Sequence, residues 1–124
     1  MSLVIVGTVA FDAIETPFGK TDKIVGGAAT FAGLAASYLY NNVKVISVVG
    51  EDFGDNIDIL SNRSIDVEGV EVVAGEKSFF WSGKYHNDMN SRDTLVTELN
   101  VLADFDPKVP ASYQDCEFLL LGNL

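Results

Sequence analysis

Gly26-Gly27-Ala28-Ala29-Thr30-Phe31-Ala32-Gly33-Leu34-Ala35-Ala36 places two glycines directly before a small-residue helical pattern. Glycine has no Cβ, so the pair permits a sharp turn and a close approach to the backbone. Ala28, Phe31, Ala32, Ala35 and Leu39 recur at helical spacing and predict one helix face. Ala29, Gly33 and Ala36 give a second face almost no bulk, which predicts a neighbour packed very close. The first turn of such a helix has unpaired N–H groups that can bind an oxyanion or ligand hydroxyls. The same spacing also fits a glycine turn and a buried Ala-rich helix with no ligand. The helix is expected over residues 28–41, with Asn41-Asn42 as a left-handed stop.

Strands flank this helix. Leu3-Val4-Ile5-Val6 is an unbroken apolar run rich in β-branched residues, as parallel strands covered on both faces are. Val43-Lys44-Val45-Ile46-Ser47-Val48-Val49 reads the same way. Strand, helix, strand is a βαβ unit, which implies parallel pairing through a right-handed crossover. Glu117-Phe118-Leu119-Leu120-Leu121-Gly122 predicts another buried strand. In such sheets the active groups lie beyond the carboxyl ends of the strands. Asp12 lies in that region, past Gly7. Its spacing alone suits a turn or cap residue.

Beyond Gly50, Asp52 is expected to cap a helix over residues 53–63. Residues 13–23 read as a short strand and loop, with a turn at Pro17 and Gly19. Residues 67–74 predict a strand. Phe79, Trp81, Gly83 and Tyr85 then alternate with Phe80, Ser82, Lys84 and His86. Leu95, Thr97, Leu99 and Val101 alternate with Val96, Glu98 and Asn100. Period-two alternation with turns at Gly75-Glu76 and residues 87–91 predicts an antiparallel meander. It is apolar on both sides, with Phe79, Trp81 and Tyr85 on one and Phe80 on the other, so it needs two covers. Either one face meets substrate and the other a partner, or the hairpin folds wholly onto its own domain. Pro107 and Pro110 leave room only for a short helix near residues 110–115.

Composition bounds the function. At 124 residues, 48% apolar and 21% charged, the chain is one globular domain's worth. A net charge of −10, from 18 acids against 8 bases, repels phosphate backbones and argues against nucleic-acid binding. Cys116 is the only cysteine, which precludes an intrachain disulfide and fits a reducing, cytoplasmic setting. The run at residues 3–6 is too short for a signal peptide or a membrane span. His86 is the only histidine and has no serine or cysteine motif beside it, so a triad has no support. The acids lack calcium-loop spacing.

Three pieces in this order carry a resemblance: Val6-Gly7-Thr8-Val9-Ala10-Phe11-Asp12, then Gly26-Gly27, then Val48-Val49-Gly50-Glu51-Asp52-Phe53-Gly54. Together they resemble the ribokinase-like (phosphofructokinase-B type) sugar kinases. The resemblance implies an α/β fold, the N-terminal portion of a three-layer αβα sandwich, with a small antiparallel β-sheet lid at about residues 67–101. Residues 1–124 would be the substrate-binding part, and the nucleotide-binding part would lie outside them. Asp12, Gly26, Gly27 and Thr30 would hold the sugar, with Thr30 standing where many members carry asparagine. The implied reaction moves the γ-phosphoryl group of ATP, with Mg²⁺ on the phosphates, to a sugar hydroxyl. The family's Gly-Ala-Gly-Asp segment is not present, and neither common nucleotide-phosphate glycine motif occurs. No catalytic, nucleotide-binding or metal-binding residue is therefore assigned here, and the 124 residues alone are expected to be inactive. The lid implies a homodimer. A nucleoside kinase of the same fold, or a ligand-binding or dimerisation module without chemistry, are the alternatives.

Overall fold

The buried β-branched runs and the alternating aromatic segment fall in different sheets, and the chain forms two. The computed structural model describes residues 2–124. In order they form β1 (Leu3–Val6), β2 (Ala10–Thr16), β3 (Gly19–Lys20), β4 (Ile24–Gly26), α1 (Ala28–Ser37) and β5 (Val43–Gly50). A 3-10 segment at Glu51–Ile57 continues into α2 (Asp58–Ser61), followed by β6 (Asp66–Val73), β7 (Phe80–Tyr85) and β8 (Arg92–Glu98). Two 3-10 turns, Asn100–Asp104 and Ala111–Tyr113, precede β9 (Phe118–Leu121).

The core sheet is parallel throughout, in the order β6-β5-β1-β9. Alternate residues of β1 and β5 feed two cores. Ile5, Val43, Val45 and Val49 pack with Ala29, Phe53, Leu60 and Ile65 on the helix side. Val4 and Ile46 pack with Tyr113 on the other. The α/β class read from the βαβ pattern is the one observed. The strand at residues 117–122 does pair with β1, but β9 is exposed at all four positions rather than buried. It lies at the sheet edge, and no helix among the described residues covers it.

The low-bulk face of α1 is the packed one. Ala29, Thr30 and Gly33 are buried, and a Cβ on Gly33 would stand 3.5 Å from Val45 Cγ2. Phe31 and Leu39, on the other predicted face, are exposed. The helix ends at Ser37, before residue 41, where Ser37 Oγ donates to Leu34 O at 2.7 Å and the last turn tightens.

The helix expected over residues 53–63 is broken by Gly54, whose φ of 48° is left-handed. Asp52 makes no cap bond. The strand expected at residues 67–74 runs Asp66–Val73 and joins β5 in the core sheet, not the lid. A strand arriving from a short helix returns beside its parallel neighbour.

The lid sheet takes its other half from residues 10–26. Its order is β3-β2-β7-β8, with β4 also on β2. It is mixed rather than antiparallel: β2 and β7 run parallel, with Phe11 opposite Phe80 and Asp12 opposite Trp81. Only β7 and β8 form the expected hairpin. No helix among the described residues is long and apolar enough to cross a membrane.

Candidate functional site

The two sheets meet where β1 ends. Thr8 closes the start of α1: its Oγ1 accepts from Ala28 N–H at 2.8 Å, and its carbonyl accepts from Ala29 N–H at 2.9 Å. Those two N–H groups are therefore taken by the protein, contrary to the expectation of an open helix start. Gly27 has a φ of 102°, a conformation that side chains disfavour, and a Cβ there would overlap the Thr8 carbonyl. A Cβ on Gly26 would overlap the Asp12 carboxylate. The glycine pair thus lets Thr8 plug the helix and lets Asp12 lie against bare backbone.

Asp12 opens onto a cleft of about 380 Å³ between α1 and the lid. Thr8, Gly27 and Ala28 form its floor. Phe31 rises from α1, and Phe79, Trp81 and Tyr85 come from the lid, so four aromatic residues line the same cleft as Asp12. Arg92 lies 5.5 Å from the centre of the Trp81 ring, within cation–π range. Trp81 Nε1 donates to Thr94 Oγ1 at 3.3 Å. Asn123, past β9, completes the wall.

Burial pushes the Asp12 carboxyl above its usual range. Among the described residues no donor bonds to it and no cation pairs with it. A partly desolvated carboxylate without a donor is a strong acceptor for ligand hydroxyls.

Comparison with known proteins bears on this geometry. No family model matches the sequence. Over 118 residues the chain is 27% identical to the cytidine kinase of Thermococcus kodakarensis, a match that takes in 94% of this chain and 41% of that protein. The ribokinase of Cryptococcus neoformans, solved with ADP, superposes with a TM-score of 0.77 at 17% identity, over 97% of this chain and 41% of its own. The nucleoside kinase of Methanocaldococcus jannaschii gives 0.74 at 20% identity, over 98% and 44%. That of Burkholderia thailandensis, solved with inosine, gives 0.68 at 18%, over 83% and 38%.

The chain has the ribokinase fold. The resemblance carried by the three sequence pieces therefore holds in three dimensions, and the chain spans 41% of the length of the curated relative it matches.

Within the ribokinase fold, Asp12 and Gly27 come together in the cleft, and Gly26 lies beneath the carboxylate. Thr30 does not join them. It is 1% exposed on the sheet-facing side of α1, and its Oγ1 has no hydrogen-bond partner. The aromatic wall was half legible: Phe79, Trp81 and Tyr85 do share one face of the alternation. Phe31 reads in the sequence only as part of one helix face, Thr8 only as a member of the Val6–Asp12 piece, and Arg92 and Asn123 carry no signal.

His86 is exposed at the tip of the β7–β8 hairpin. Its Nδ1 lies 2.9 Å from Ser91 Oγ and its Nε2 lies 3.0 Å from Asp93 Oδ2. The three residues do form a serine–histidine–aspartate chain, at the exposed tip of the β7–β8 hairpin. It ties the two strands together outside the cleft.

No cluster of three or more histidine, cysteine or acidic side chains among the described residues fits a metal ion. The α1 start, whose first N–H groups Thr8 occupies, does not fit a triphosphate either.

Proposed function

We propose that this chain carries the acceptor-binding part of an ATP-dependent kinase and that the acceptor is a nucleoside. The observation that carries the reading is Asp12, an unpaired and partly desolvated carboxylate opposite Trp81 in the lid register. Two ribose hydroxyls would donate to Asp12, each such charged hydrogen bond contributing about 1.5–3 kcal/mol. The base would stack within Phe31, Phe79, Trp81 and Tyr85, where a free sugar leaves much of this apolar wall uncovered. The likeness to a cytidine kinase and to two nucleoside kinases supports the same reading. A simple sugar is the second reading, supported by the likeness to a ribokinase and by the polar Thr8, Arg92 and Asn123 in the wall.

The residues of this chain would bind the acceptor, orient its hydroxyl and exclude water. No phosphoryl step is assigned to them, because they fit neither a triphosphate nor a metal ion. The 124 residues alone are accordingly proposed to turn over no ATP. A homodimer through the lid would use Ala13, Ser82 and Val96, the outer part of the face whose inner part, Phe11 and Phe80, packs against the protein's own core, since the opposite face turns Trp81 to the cleft.

Calorimetric titration of cytidine, uridine, adenosine and D-ribose into the wild type and Asp12→Asn tests the proposal. Nucleosides are expected to bind at least about tenfold more tightly than ribose, and Asp12→Asn to lose binding. Ribose binding as tightly as the nucleosides would transfer the proposal to a sugar. Binding unchanged in Asp12→Asn would remove the cleft from consideration.

A further inference from the structure

Gly50-Glu51-Asp52 takes no part in the cleft, yet the feet of the lid converge on it. Ser78, 1% exposed, lies just before β7. Its N–H and its hydroxyl both donate to Asp52 Oδ1, at 2.8 and 2.7 Å. Its Oγ accepts from Gly50 N–H at 2.9 Å. Its carbonyl accepts from Asn100 Nδ2 at 2.9 Å. Asn100 holds a left-handed φ of 49° where the chain leaves β8. Two backbone bonds flank this knot, Glu51 N–H to Glu76 O at 3.0 Å and Val101 N–H to Lys77 O at 3.1 Å. A Cβ on Gly50 would overlap the backbone of Glu76 and Lys77, so the approach needs glycine. The third foot is tied in as well: Phe11 N–H donates to Phe79 O at 2.9 Å, and the Phe11 ring lies 5.1 Å from that of Phe53.

We propose that Asp52 and Ser78 are positioning residues, forming a hydrogen-bonded post that sets where the lid, with Asp12 and Trp81 side by side on β2 and β7, stands against the start of α1. Trp81 lies three residues from Ser78, about 10 Å along an extended chain. A tilt of about 10° at the post therefore moves the indole by roughly 2 Å, enough to spoil a binding geometry. Ser78→Ala removes one of the two bonds to Asp52 Oδ1 and the acceptor of Gly50 N–H, leaving the Ser78 N–H bond, so the foot is loosened while the strands remain paired. The role in binding rests on the reading of the cleft as the acceptor site; the effect on the lid does not.

The test uses the chain's only tryptophan as reporter. Acrylamide quenching of Trp81 is measured without ligand in wild type, Ser78→Ala and Tyr113→Phe. Tyr113→Phe is the control, because it deletes a buried hydroxyl that bonds Gly69 N–H and Asp66 on the opposite face of the core sheet. Ser78→Ala is expected to raise the quenching constant roughly twofold, and Tyr113→Phe to leave it unchanged. Ser78→Ala is further expected to weaken uridine binding about tenfold. If Ser78→Ala does not keep its far-ultraviolet circular dichroism, Asp52→Asn replaces it, with a smaller rise expected because an oxygen acceptor remains. Quenching equal to wild type in the folded variant overturns the proposal. Raised quenching with uridine binding unchanged keeps the post and removes the cleft's assigned role. Loss of uridine binding in Asp12→Asn alone, with no change in Ser78→Ala, leaves the cleft standing and removes the post.

Discussion

The core sheet and the lid sheet are held together by different means. In the core, β5 is buried at seven of its eight positions and feeds two apolar clusters. In the lid, β8 is exposed at every position. The core is stabilised by area removed from water, which is non-directional and tolerates small shifts. The lid is fixed by a few directional bonds at its feet and by Phe11 and Phe80 reaching back to the core. An element with little burial opens at low free-energy cost, and ligand-binding lids belong to this class. The cleft lies on the boundary between the two, with Asp12 on a lid strand and Gly27 at the start of the core helix.

Truncating each side breaks the comparison most directly. Leu60, fully buried against the core sheet, should lose about 2–5 kcal/mol on Leu60→Ala, a large share of the stability of a small domain. Val96→Ala in the lid should lose less than about 0.5 kcal/mol. Urea denaturation of both variants checks this; equal losses would mean that the lid contributes as the core does.

Next in size is the joint itself. Gly27→Ala imposes a side chain on a φ of 102° and drives it into the Thr8 carbonyl. A loss of about 1–3 kcal/mol is expected by thermal melting, from backbone strain alone. A melting temperature equal to wild type would mean that Thr8 does not hold the start of α1.

The joint was legible in part. The glycine turn and the βαβ order followed from local chemistry, a bare backbone and β-branched runs, whereas Asp12 by its spacing alone suited a turn or cap and was singled out only by the resemblance. The lid's other half was not legible, because residues 10–16 mix Phe11, Asp12, Ile14 and Glu15 without a clean apolar side. The place of β6 in the core sheet was hidden as well, since a strand's partner is set by crossover geometry that its own residues do not encode. The post was hidden for a related reason. Asp52, just past Gly50 and before the expected helix, looks like a cap, and only the fold brings Ser78 to it.

Asp12 sharpens the comparison through pH. Its carboxyl is raised by burial, so the folded chain holds a proton that the unfolded chain releases. Stability should therefore fall as pH rises from the ordinary carboxyl range through the raised folded value, and the penalty is complete above it. Asp12→Asn should remove this slope and leave the ligand-free chain at least as stable at neutral pH, while binding is lost. Denaturation midpoints of both proteins across that acid range give the answer. A stability loss at neutral pH in Asp12→Asn would mean that the carboxylate is serving the fold rather than a ligand.

The smallest effect tests whether the two sheets open separately. His86 and Asp93 form an exposed pair at the hairpin tip, with Ser91 on the other ring nitrogen. Such pairs contribute roughly 0–1 kcal/mol, and solvent screens this one. His86→Ala should leave the urea midpoint within error. The tip should nevertheless loosen, because His86 N–H to Ser91 O and Met89 N–H to His86 O, both 2.9 Å, close a loop that the side chains brace. Hydrogen exchange resolves the two outcomes. Faster exchange at His86 and Met89 with Val45 unchanged is the signature of a lid that opens by itself. Faster exchange at Val45 as well would mean that lid and core unfold as one unit. In that case the bonds at Asp52 and Ser78 would be one part of a continuous core and not a hinge between two differently built sheets.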